Sequence, residues 1–240
     1  MRRIADGSSV WVVVKANAYG HGAVQIASEA VAAGVDGLCV ALVSEGVELR
    51  RAGIDSPILI FSEQPEEEID DIVGHGLTPT VYRTSYIERL ADAVRRAASS
   101  QLDVHLKIDT GMHRAGADPA EATRLVDLIA RHDDALRLAG VYTHFAAADM
   151  PAHPANGAQT SLFNEVISTL GDRIDGVALH AVNSAGAMTM PDQRRSFIRP
   201  GIATYGIIPG DGVAHLFSDL RPVMSLHARV SRVQRLAAGE

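Results

Sequence analysis

Val10-Trp11-Val12-Val13-Val14-Lys15-Ala16-Asn17-Ala18-Tyr19-Gly20-His21-Gly22 opens with five apolar residues, closes in a glycine-flanked loop, and runs straight into a helical pattern, Ala23 to Ala33. The opening run is apolar at odd and even positions alike and rich in β-branched residues. That suits a strand buried on both faces, as in a parallel sheet. The unit of strand, loop and helix then repeats. Strand-like runs follow at Gly37 to Leu42, Pro57 to Phe61, Thr78 to Tyr82, Asp103 to Ile108, Leu136 to Thr143, Gly176 to His180 and Phe197 to Arg199. Helical patterns lie between them at Glu45 to Ala52 (opened by Ser44 with Glu48), Glu66 to Val73, Thr84 to Ala98, Pro119 to Arg131 and Ser161 to Leu170. Strand and helix in alternation imply right-handed βαβ units. Eight such strands in a chain of 240 residues predict an α/β fold, a (β/α)8 barrel, with an open doubly wound sheet as the alternative.

The tail departs from this pattern. Val223 to Val233 alternates polar and apolar residues at period two, which predicts a half-exposed antiparallel strand. It reads as the start of a second, β-rich unit. The expected division is therefore a barrel over residues 1–221 and the first strand of a C-terminal β-domain over 222–240, with apolar surface exposed near Leu216 to Leu226.

Composition narrows the function. Lys and Arg total 22 against 29 Asp and Glu, a net charge of −7, which argues against nucleic acid held through phosphate contacts. No apolar run reaches the length of a membrane span. The single cysteine, Cys39, rules out an intrachain disulfide and fits a reducing cytoplasm. Met1 to Asp6 has no apolar core of the kind a signal peptide carries.

Barrels place their chemistry where strands end and loops begin. Lys15 directly follows buried strand residues, where a lysine is unusual, and a desolvated amine is a nucleophile. The fifth strand leads into Lys107-Ile108-Asp109-Thr110-Gly111-Met112-His113-Arg114-Ala115-Gly116; Lys107 and Asp109 share a face by period two, and Arg114 can fork onto a carboxylate. The sixth ends in Tyr142-Thr143-His144-Phe145. After the seventh, Asn183 or Ser184 can cap a helix, and the small residues around them let an anion approach the backbone. After the eighth, Arg199 is followed by Pro200, Gly201 and Ile202, whose amides lie where barrels often bind phosphate. Singly, these residues fit a salt-bridge loop, a satisfied histidine, a helix cap and a turn. Together they put an amine, a carboxylate clamp, an imidazole and a phosphate cup at one rim, which points to pyridoxal phosphate (PLP). No lysine with serine or threonine follows Gly20-His21-Gly22, so this is not a P-loop, and the ten histidines show no metal-ligand spacing.

Val14 to Gly22 closely resembles the cofactor-lysine signature of bacterial alanine racemases. Lys107 to Gly116, Thr143-His144-Phe145-Ala146, Asn183-Ser184 and Arg199-Pro200-Gly201-Ile202-Ala203-Thr204-Tyr205-Gly206 agree with that family in order and character, so the resemblance covers nearly the whole chain. It implies a PLP-dependent isomerase that interconverts L- and D-alanine for cell-wall precursors. Lys15 would hold PLP as a Schiff base and exchange the α-proton on one face. Tyr19, Ser184, Gly201 and Ile202 would hold the phosphate, with Asn183 beside them. Arg199 would donate to the pyridine nitrogen and, always charged, would keep it unprotonated, which weakens the electron sink and disfavours transamination. His144 would sit beside the ring in the Arg199 network, Arg114 would steer the substrate carboxylate, and Lys107 matches a position carbamylated in some relatives.

Two departures stand out. Family members begin with a further strand and helix, of which Met1 to Ser9 reads as a remnant. They also continue into a C-terminal β-domain that carries the second catalytic base, a tyrosine just past a pair like Gly239-Glu240, acting on the partner's cofactor in a homodimer. Tyr205 is the last tyrosine here. A fragment of the family is therefore expected, with weak turnover alone. The alternatives are a single-barrel PLP carrier and a racemase of serine or another small amino acid.

Overall fold

The structure, a computed structural model, describes residues 2–239. Its strands are β1 (Ser9–Val13), β2 (Gly37–Val40), β3 (Ile58–Ile60), β4 (Thr78–Val81), β5 (Leu102–Lys107), β6 (Leu136–Tyr142), β7 (Ala178–His180) and β8 (Phe197–Ile198). They follow one another in sequence order, with β8 returning to pair with β1, and every pairing is parallel. Between β7 and β8 the ladder gives way to single bonds, Ser196 N–H to the Leu179 carbonyl at 2.9 Å and Arg199 N–H to the Val182 carbonyl at 3.0 Å. The result is a nearly closed barrel. An open doubly wound sheet, whose strand order reverses at a switch point, is excluded.

The two faces of the strands have different company. Val10, Val12, Leu38, Val40, Ile58 and Ile60 pack outward into the core shared with the helices. Each such fully buried aliphatic side chain contributes about 1.5–3 kcal/mol. The helices Ala23–Ala32, Thr84–Arg96 and Ala122–Arg131 cover this layer. Inward, Val13, Cys39 and Leu59 pack with Trp11 and Phe61. Burial pushes the Cys39 thiol up to about 12, so it is inert as a nucleophile. Trp11 stacks on Phe197 at 4.6 Å, Phe197 on His180 at 4.0 Å, and His180 on Tyr142 at 4.4 Å. Two glycines make room for these rings. A Cβ on Gly37 would lie 2.5 Å from the Trp11 ring, and one on Gly140 would lie 2.5 Å from His105 Nδ1.

Several expectations change. The helix after β2 runs Val43–Arg51, starting before Ser44, because Glu45 at its third position reaches back to the Leu42 amide and caps it. Glu66 to Val73 divides into a 3-10 turn, Glu66–Glu68, and a helix, Ile69–Gly74. The helix expected from Ser161 starts at Pro154, with the His153 ring accepting from the Ala155 amide. Its first turns bury Asn156 and Gln159, polar residues that hide an inward face from apolar periodicity. The tail makes no strand. Val223 to Val233 has no ladder partner among the described residues, and Leu226, Val230 and Val233 are 97%, 80% and 88% exposed. A strand is stable only against a neighbour that accepts and donates its backbone bonds. Exposed apolar side chains do occur at Val223, Met224 and Leu226, whereas Leu216 and Leu220 pack on the core. Met1 and Glu240, the ends of the expected remnant and of the Gly239-Glu240 pair, lie outside the described residues.

Candidate active site

The chain leaves β1 through an uncommon turn. Ala16, Asn17, Ala18 and Tyr19 all have φ of 52–53°, a left-handed stretch without a glycine. Each such residue costs about 1–2 kcal/mol, so the turn persists only because its surroundings hold it. The Glu45 carboxylate accepts from the Ala16 amide at 2.5 Å, and Asn17 Oδ1 accepts from the Ala23 amide at 2.8 Å, opening the next helix. Ala18 is fully buried beneath the turn. This path sends Lys15 and Tyr19 into a cavity above the barrel and brings the Tyr19 hydroxyl against Gly201, 2.8 Å from where a Cβ would sit.

The cavity floor is a buried polar chain. Arg199, 2% exposed, donates to the Thr143 and Ala181 carbonyls, both at 2.9 Å, and to His180 Nδ1. A guanidinium only donates, so His180 must accept at Nδ1 and carry its proton on Nε2. His180 Nε2 in turn faces His105 Nδ1 at 2.9 Å, which leaves the His105 proton on Nε2. Burial, then the nearby Arg199 charge, holds His180 well below its usual range. Burial likewise pulls His105 down to about 3. Both rings are therefore neutral at physiological pH, as this chain of bonds requires. Tyr142 lies flat against His180, with the Arg199 guanidinium 5.1 Å from its ring centre. Its hydroxyl is tied to Thr80 at 2.8 Å and the Phe61 carbonyl at 3.1 Å. The buried Nε of Arg199 has no hydrogen-bond partner among the described residues.

One wall comes from the loops after β5 and β6. Lys107 is 5% exposed, and burial followed by the charges of Arg114 and Arg199 lowers its amine to about 8. Asp109 does not share its face in the site. Its Oδ1 accepts from the amides of Gly111, Met112 and His113, each at 3.0 Å, and so shapes the loop. Partial burial raises its carboxyl, but these backbone donors more than offset that, and the net direction is down. Gly116 has to be glycine, since a Cβ there would lie 2.6 Å from the Asp109 nitrogen. Arg114 is carried to the cavity wall without an ion-pair partner among the described residues, while elsewhere in the same loop His113 Nδ1 lies 3.5 Å from Asp109 Oδ2. His144 faces Asn183 Nδ2 at 3.4 Å and Arg199 at 3.5 Å. Burial, then the charges of Arg199, Arg114, Lys107 and Lys15, keeps its imidazole neutral. Buried Gln159 braces both loops, donating to Thr110 Oγ1 and the His144 carbonyl and accepting from the Ala146 amide.

The opposite wall is the start of the short helix Ser184–Thr189, capped by Asn183 Oδ1 accepting from the Gly186 amide at 3.0 Å. Ser184 Oγ accepts from the amides of Gly201 at 2.9 Å and Ala203 at 3.3 Å. The Gly201 amide, expected to point freely at an anion, is thus engaged by Ser184. With both lone pairs occupied, the serine hydroxyl keeps its proton to donate.

Lys15, Tyr19, Lys107, Arg114, His144, Asn183, Ser184, Arg199, Gly201 and Ile202 all line this one cavity of about 380 Å3. Tyr142, Phe61 and Asp149 line it too. Sequence reading assigned these three no role, nor His105 and His180 beneath them. Period two back from Lys107 and His144 marks His105 and Tyr142 as inward-facing. The lining has four cationic side chains, Lys15, Lys107, Arg114 and Arg199, against one carboxylate, Asp149. Such a cavity suits a ligand with several negative charges.

The comparisons agree with this geometry. Residues 1–209 match the family described as alanine racemase, N-terminal domain. The chain is 38% identical over 240 residues to the alanine racemase of Carboxydothermus hydrogenoformans, covering 100% of this chain and 64% of that one. It is 37% identical over 241 residues to that of Geobacillus kaustophilus, covering 100% and 62%. Among solved structures, the alanine racemase of Streptomyces coelicolor superposes with a TM-score of 0.85 at 36% identity, covering 92% of this chain and 60% of that one. That of Clostridium difficile in complex with cycloserine gives 0.84 at 33%, covering 92% and 62%. The chain therefore spans somewhat under two thirds of its relatives' length. With a parallel barrel, a lysine at the first strand exit and a cationic cavity behind it, the chain belongs to the alanine racemase N-terminal domain family.

Proposed function

We propose that this barrel binds PLP through Lys15 and serves in the interconversion of L- and D-alanine. The observation that carries the reading is the buried Nε of Arg199, which has no hydrogen-bond partner among the described residues, on a side chain that lines the same cavity as Lys15. A buried donor without an acceptor costs about 1–3 kcal/mol, and a ring nitrogen would complete it. The phosphate would be cradled by the Ser184 hydroxyl, the Tyr19 hydroxyl and the backbone at Ile202, with Gly201, whose amide bonds Ser184, leaving room for it and Asn183 holding the helix start beside them. When bound, PLP supplies an electron sink that acidifies the α-C–H of an amino acid.

The chain's own residues would do the rest. Arg199, tied to two carbonyls and a neutral His180, is held as a fixed donor that cannot take up or release a proton. Lys15 Nζ would accept and return the α-proton on one face. Arg114 would grip the substrate carboxylate, and neutral His144 would pack beside the ring. Lys107, with its amine lowered to about 8, has the free base needed to take up CO2 as a carbamate, whose charge would pair with Arg114. The base for the opposite face would come from the remaining third of the family's length, acting between subunits of a homodimer. Among the described residues no helix is long and apolar enough to cross a membrane, and a cytoplasmic role in supplying D-alanine to the cell wall fits.

The test is an absorption spectrum of the chain with PLP, before and after borohydride, beside Lys15→Ala. A band that borohydride fixes onto the Lys15 peptide, and that the variant lacks, is the expected result. A band that survives Lys15→Ala, or none in the wild-type chain, overturns the reading.

A further inference from the structure

Two side chains pin the left-handed turn at Ala16 to Tyr19, beside its own backbone bonds, among them the Ala18 amide to the Val14 carbonyl at 2.8 Å. At its far end Asn17 closes onto the Ala23 amide, which shapes the next helix. At its near end, next to Lys15, the pin is Glu45. One carboxylate oxygen accepts from the Ala16 amide at 2.5 Å; the other accepts from the amides of Ala41 at 2.7 Å and Leu42 at 3.1 Å. The same side chain therefore joins the exit of β1 to the exit of β2 and caps the helix Val43–Arg51. Three backbone amides, from two separate strand exits, thus converge on this one carboxylate. A right-handed path after Lys15 would turn the Ala16 amide away from this carboxylate and would redirect the lysine and the Tyr19 ring.

We propose that Glu45 is a positioning residue for Lys15: its two carboxylate oxygens hold the strained turn that aims the amine into the cavity. The inference rests on reading Lys15 as the cofactor lysine. Glu45 does not line the cavity, so it would act only through the backbone. Glutamine has one accepting oxygen where the carboxylate has two, so Glu45→Gln can serve the Ala16 amide or the helix start, but not both. Glycine adopts φ near +52° without penalty, and Ala16 is exposed. Ala16→Gly therefore relieves the strain without touching the core.

The experiment takes the full chain as wild type, Glu45→Gln, Glu45→Ala and Glu45→Gln/Ala16→Gly, each checked for folding by circular dichroism. Amide hydrogen exchange across residues 15–20 is read without cofactor, and the rate of borohydride-fixed PLP adduct at the Lys15 peptide is read with it. Expected are an increase in exchange at Ala16 of about tenfold or more in Glu45→Gln, a fall in adduct rate of about fivefold or more, and recovery of most of that rate in the double variant. Unchanged exchange and adduct rate in Glu45→Gln overturn the proposal. So does a slowed rate that Ala16→Gly leaves unrescued, the signature of general destabilisation. If wild type forms no Lys15 adduct, the cofactor reading fails, and with it the positioning role for that amine. Exchange then decides separately whether Glu45 braces the turn.

Discussion

Gly140→Ala tests whether the barrel interior is built around its polar chain. A Cβ at this position would lie 2.5 Å from His105 Nδ1 and 2.6 Å from its Cε1, well inside contact distance. His105 cannot yield freely, since Nδ1 is the acceptor for His180, which in turn receives from Arg199. Overpacking a core costs about 1–3 kcal/mol, and loss of the His105–His180 bond adds about 1 kcal/mol. Together these give a loss of roughly 2–4 kcal/mol, or a fall in Tm of about 4–16 °C for a domain of this size. The assay is thermal unfolding by circular dichroism in a double-mutant cycle with His105→Ala, which removes the ring that the new methyl meets. In that background the same substitution is expected to cost under about 1 kcal/mol. A Gly140→Ala variant that melts with the wild type, or a loss that is fully additive with His105→Ala, would refute the packing described here.

Further predictions concern the site. Lys107 has its amine lowered to about 8 from an ordinary 10.5, so the unfolded chain binds more protons than the folded one between those values. Its contribution to stability therefore improves as pH rises through that window, and urea unfolding of Lys107→Met is expected to lose this part of the pH dependence. Chemical acetylation of Lys107 should show a midpoint near pH 8, moving upward in Arg114→Ala; a midpoint near that of an exposed lysine would contradict its burial. Ser184→Ala removes the acceptor of the Gly201 and Ala203 amides and is expected to weaken PLP binding about 10- to 100-fold, the worth of a hydrogen bond to a charged group, as read by fluorescence titration. Asp109→Ala frees three amides of the Gly111 to Gly116 loop and should make that loop the first site of limited proteolysis, with digestion elsewhere unchanged.

The barrel was legible because its signals are local. Each strand run is a string of residues apolar on both faces, and each helix carries its own stripe, so their order and parallel direction follow from adjacent residues. The candidate lining was legible for a related reason. In this fold the ends of strands converge, so Lys15, Lys107, His144 and Arg199 come together once the barrel is known. The helix from Pro154 was harder, since Asn156 and Gln159 bury polar groups that no periodicity marks. The tail forms no strand here, because period-two alternation states a preference that only a neighbouring strand can realise.

Sequence alone determined the strand order, the cationic residues at the rim and the lysine after β1. Tertiary structure decided how those residues are used. Glu45 and Ala16 are 29 positions apart, yet their bond holds a left-handed turn that local propensity opposes. His105 and His180 are separated by 75 positions, and their tautomers are set by Arg199 acting through the barrel. Asp109 has the spacing of a site residue, but the amides around it turn its carboxylate into the loop. Propensity and periodicity act over a few residues of chain. Desolvation, hydrogen-bond direction and backbone strain depend on what surrounds a group in space, and that exists only once the barrel has closed.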